Sequence, residues 1–111
     1  MIAERSMKNL NKVLPRIREI IDEVYGNRVS EVILYGSLAR GTFNKDSDID
    51  IALVLKGKVN KSEEINRIYD VLYDLILETG ELISINPISE KEIRNPVWPL
   101  YQHIRSEGIK I

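Results

Sequence analysis

The chain of 111 residues is the length of one domain, so a single domain over residues 1–111 is expected, without room for separate catalytic and substrate-binding domains. Hydrophobic residues at 43% and charged residues at 30% exclude wholesale disorder, and 16 Lys and Arg against 17 Asp and Glu give no basic surface for nucleic acid. The absence of cysteine excludes disulfides, thiolate metal sites and cysteine nucleophiles; with no apolar run long enough to span a bilayer, it predicts a soluble, cytoplasmic protein that does not engage membrane.

In chain order the pattern reads helix, strand, short helix, strand, helix, strand, helix. This predicts an α/β (α+β) fold with a small mixed sheet packed by helices. Ile17, Ile20, Ile21 and Val24 recur at helical spacing, Pro15 is expected to break or begin that helix, and Gly26 to stop it. Glu31–Tyr35 and Asp48–Leu55 read as strands. The second turns continuously apolar after a polar start, as a buried central strand does. A long helix is expected over 62–79, capped by Ser62, buried through Ile65, Ile68, Leu72, Leu75 and Ile76, and stopped by Gly80. A third strand follows over Leu82–Ile88, with Pro87 suited to an edge or a strand end. Ser89 and Glu92 have the spacing of a capping box, and 99–107 carries a weak helical pattern.

The chemistry concentrates where the first strand meets the second. Gly36-Ser37 stands where a strand turns into a short helix, a place that offers backbone N–H groups to an anion, and Ser37 adds a hydroxyl. After ten intervening residues, Asp48 and Asp50 share a strand face, roughly 6.5–7 Å apart along the strand. Two like charges held together are costly unless a proton or a cation intervenes, and a hard cation such as magnesium takes carboxylates, waters and phosphate oxygens. The Gly-x-x-x-x-Gly-Lys of a Walker loop is absent. His103 reads as packed or exposed, Trp98 as a core or dimer anchor, and Tyr69 and Tyr73 as packing residues; Lys56, Lys58 and Lys61 read as a solvated loop.

Gly36-Ser37, ten intervening residues and Asp48-Ile49-Asp50 resemble the signature of the DNA polymerase beta superfamily of nucleotidyltransferases. The stretches 37–41 and 47–51 look like its minimal, MNT-type members, many of them paired with a HEPN-domain protein. The helix before the first strand and the tail from Asn95-Pro96 to Gly108-Ile109 look like that group as well.

The resemblance implies a nucleotidyltransferase fold, with Asp48 and Asp50 holding two magnesium ions, ATP as substrate, and Gly36, Ser37 and Arg40 on its phosphates. The family's usual third carboxylate falls either at Glu81, as a third metal ligand, or at Asn86, in which case the general base is missing. The implied activity is that of an antitoxin moving AMP to tyrosine hydroxyls of a HEPN toxin encoded nearby, with the chain in a homodimer or hetero-oligomer. The alternatives are a module that neutralises its partner by contact alone, and a subunit of an aminoglycoside-type enzyme acting on a small molecule.

Overall fold

The computed structural model describes residues 2–42 and 47–111, so residues 43–46 of the polar loop between the two halves of the motif lie outside the described residues. The elements are α1 (Ile2–Tyr25), a 3-10 turn (Gly26–Arg28), β1 (Val29–Tyr35), α2 (Ser37–Arg40), β2 (Ile49–Leu55), α3 (Lys61–Thr79), β3 (Ile83–Ser89), α4 (Glu90–Arg94), α5 (Pro99–Glu107) and β4 (Ile109–Lys110). The sheet is mixed, in the order β3-β2-β1-β4: β1 is antiparallel to β2 and β4, and β2 is parallel to β3.

Strand parity sorts the core into two layers. Ile49, Ile51, Leu53 and Leu55 of β2, with Val32 and Leu34 of β1, face Ile17 and Ile21 of α1 and Ile68, Leu72 and Leu75 of α3. Ala52 and Val54 point the other way, onto Ile33, Ile88, Ile93, Tyr101 and Ile104 beneath α4 and α5. β2 is therefore covered on both faces, which is why its sequence is apolar without alternation.

Several local expectations are corrected. Pro15 neither breaks nor begins a helix but sits inside α1, where its ring faces solvent and Val13, Ile17 and Ile21 hold the helix to the core on either side. The α3 cap is Asn60 rather than Ser62: its side chain accepts from the Glu63 N–H at 3.2 Å, so the helix starts earlier. Ile65 is 38% exposed and outside the buried stripe; the same helical turn buries Glu64 instead, held by Arg28 at 3.1 Å and Arg67 at 2.7 Å. Burial raises the Glu64 carboxyl, and hydrogen bonds with Tyr25, Arg28 and Arg67 outweigh that and leave it below the usual carboxylate range. Trp98 is 66% exposed and anchors no core.

The other signals hold. Gly80 closes α3 in the left-handed region at φ 72°, the Ser89–Glu92 capping box opens α4, and Pro87 lies on β3, an edge strand. Tyr69 is a packing residue with a polar end: its hydroxyl donates to the Ile83 carbonyl at 2.8 Å and accepts from the Ile85 N–H at 3.0 Å.

Candidate active site

The antiparallel register sets Tyr35, the last residue of β1, against Asp50, the second residue of β2. Gly36 follows at once, with φ 74° and ψ −154°, a backbone state that L side chains rarely adopt. Its bare Cα lies along the Asp50 carboxylate: a Cβ built on Gly36 would stand 2.5 Å from Asp50 Oδ2. Glycine is required here on two counts, the dihedral and the room. α2 then takes one turn, with the Arg40 N–H donating to the Gly36 carbonyl at 3.1 Å and Thr42 N–H to Ser37 at 3.0 Å. Leu38 and Ala39 fasten this turn to the core, so Ser37 and Arg40 are carried on a fixed support.

Asp48 is exposed just ahead of β2, and Asp50 is half-buried within it. Burial raises the Asp50 carboxyl above its ordinary value, the Asp48 charge raises it further, and the Arg40 guanidinium draws it back. The expected pair of like charges is thus present, with one cation in electrostatic reach. Arg40 also faces Glu107 of α5, with Nη1 3.6 Å from Oε2.

β3 lies on the other side of Asp50, where the partners in register are Asp50 with Ser84 and Ala52 with Asn86. The polar β3 side chains on Asp50's face are therefore a hydroxyl and an amide, with no acid among them. Asn86 is engaged by the Tyr35 hydroxyl, whose pKa burial raises, the Asn86 hydrogen bond lowers, and the Asp50 charge raises. Glu81 precedes β3, and its N–H donates to Thr79 Oγ1 at 3.2 Å. Among the described residues no three acidic or histidine side chains form a group able to hold a metal, so Glu81 does not join Asp48 and Asp50 in one. His103 is exposed on α5, its Nδ1 3.8 Å from Glu107.

The fold thus unites Gly36, Ser37, Arg40, Asp48 and Asp50 at one end of the β1–β2 pair and leaves Glu81 outside a three-carboxylate group. Sequence reasoning did not bring Tyr35 or Glu107 there. Strand parity places Tyr35 beside the motif, because it adjoins Gly36; no local pattern places Glu107 opposite Arg40, since 66 residues separate them (107 less 40, less one).

A family model described as a nucleotidyltransferase domain matches residues 14–109. A protein of Methanocaldococcus jannaschii carrying the name of a protein adenylyltransferase is 29% identical over 101 residues, covering 90% of this chain and 95% of that protein. A second protein from the same organism, similarly named, is 29% identical over 82 residues, 73% of this chain and 54% of its own length. A crystal structure from Sulfolobus solfataricus, named as a nucleotidyltransferase, superposes with a TM-score of 0.73 at 20% identity, covering 99% of this chain and 86% of that one. The crystal structure of a mutant of the toxin–antitoxin MntA-HpeT superposes with a TM-score of 0.51 at 14% identity, over 99% and 72% of the two chains. At these identities the two superpositions establish a common fold.

Proposed function

Since the chain belongs to the nucleotidyltransferase domain family, we propose that it is a cytoplasmic protein adenylyltransferase, an antitoxin that moves AMP from ATP to tyrosine hydroxyls of a HEPN-domain toxin. The observation that carries this reading is the Asp50 carboxylate, half-buried against the bare Gly36 and raised by burial and by Asp48. Such a pair is costly alone and relieved by a cation. Its donors are hard carboxylate oxygens, which suit magnesium, an ion that keeps several waters and fills its shell from carboxylates and substrate phosphates. Asp48 and Asp50 would hold two ions, and when bound these supply a lowered pKa at the attacking hydroxyl and neutralise the leaving pyrophosphate.

The remaining work falls to the chain. Gly36 leaves room for the Asp50 carboxylate beside the phosphate-binding turn, the Ser37 hydroxyl donates to a phosphate oxygen, and Arg40 meets the outer phosphates. The tyrosine oxygen bonds to the α-phosphorus, the bond from that phosphorus to the bridging oxygen breaks, pyrophosphate leaves, and the hydroxyl proton passes to water. With Ser84 and Asn86 on the facing strand, no β3 side chain opposite Asp50 takes that proton. The names of the M. jannaschii relatives support AMP transfer to protein, and the MntA-HpeT neighbour supports a toxin as partner.

The same lack of an acid on β3 favours a second reading, an antitoxin that neutralises its partner by contact. Magnesium with ATP separates the two. At a hundredfold excess over its Kd the pair is expected to stabilise the fold by about 2.7 kcal/mol, on the order of 10 °C in thermal midpoint. The increase should vanish in Asp48→Asn. An unchanged midpoint at saturating magnesium and ATP favours contact alone.

A further inference from the structure

The C-terminal segment returns to the Gly36-Ser37 loop. After α5, Ile109 and Lys110 pair with Leu34 and Ile33 of β1, and the Ile111 N–H donates to the Val32 carbonyl at 2.9 Å. Gly108 makes the corner so close that an added Cβ would stand 2.5 Å from the Ile104 carbonyl oxygen and overlap Ile33 Cγ2. Contact with β1 thus fixes where α5 ends. Its last residue, Glu107, is held 3.6 Å from Arg40, the last residue of α2. Arg40 is also within electrostatic reach of Asp50, so one guanidinium acts on a carboxylate of the motif and pairs with one from the far end of the chain.

We infer that Glu107 is a positioning residue, which holds the Arg40 guanidinium at the end of α2, beside the Gly36-Ser37 turn, before nucleotide arrives. The inference rests on the reading of Arg40 as an outer-phosphate contact. Arg40 is half-exposed, and a long side chain free in water loses rotamer freedom when it clamps a phosphate. A carboxylate on a rigid corner takes that loss in advance. Glu107 faces a second group, the exposed imidazole of His103 on the preceding turn of α5, at 3.8 Å through its other oxygen, which leaves Oε2 for Arg40.

Calorimetric titration of the full chain with ATP and with AMP, each with magnesium, tests this. Glu107→Ala is expected to weaken ATP about three- to tenfold, the cost of ordering one long side chain, and to leave AMP unchanged. Glu107→Asp should restore part of the loss, and Glu107→Ala should cost nothing further in an Arg40→Ala background. A merely structural role would weaken both nucleotides alike and lower the thermal midpoint. Retained ATP affinity in Glu107→Ala beside a loss in Arg40→Ala overturns the inference and leaves the Arg40 assignment standing. Unchanged ATP affinity in Arg40→Ala overturns both.

Discussion

Asp50→Asn is expected to lower AMP transfer by more than about a hundredfold, since even residues that only support a metal ligand cost up to that much. At neutral pH the same substitution should raise stability, read as a higher thermal midpoint. The opposed signs follow from one cause. Burial and the Asp48 charge lift the Asp50 carboxyl above its ordinary value in the folded chain. A group raised in this way contributes stability that is fully present below its unfolded value, near 4, and lost as pH rises through its folded value. At pH 7 the wild-type chain therefore carries a penalty that asparagine removes. Below about pH 3, where the carboxyl is protonated folded or unfolded, the two proteins should melt alike. Melting curves at both pH values, beside a transfer assay, read all three effects; a destabilised Asp50→Asn at pH 7 would contradict this electrostatic account.

Gly108→Ala should carry a large stability loss. The new carbon meets the Ile104 carbonyl oxygen at 2.5 Å, and backbone cannot yield as a flexible side-chain end does. It also overlaps Ile33, which is 3% exposed in the layer beneath α4 and α5. Overpacking of this kind costs about 3 kcal/mol, on the order of 10 °C for a chain of this size. The contrast is Gly57, where an added Cβ meets nothing within 4 Å, although its φ of +75° leaves a dihedral cost. A Gly108→Ala midpoint within a degree or so of wild type would mean that the corner can shift, and that Glu107 is not held where it stands.

Much of this architecture is legible in the residues themselves. The uninterrupted apolar run 51–55 announces a strand covered on both faces, the glycines at 26 and 80 end helices in left-handed conformations, and Ser89 with Glu92 opens α4. What escaped depends on distant partners. α1 runs through Pro15 because its buried stripe lies on both sides of the proline, and two arginines draw Glu64 inside. β4 is two residues long and exists only because β1 offers a free edge. The Asp-x-Asp pair and its glycine are likewise readable, because a local spacing carries them. Register is not: which β3 residue faces Asp50, and that Tyr35 occupies Asn86, depend on how α3 returns the chain to the sheet.

The most direct measurement follows the AMP itself. The chain is incubated with magnesium, ATP labelled at the α-phosphate, and the HEPN-domain product of the adjacent gene, and the label is then mapped on the partner. The account predicts label on partner tyrosine, with pyrophosphate released in equal amount and both lost in Asp48→Asn and Asp50→Asn. A tight complex that carries no label, and forms equally well with either substitution, would contradict it.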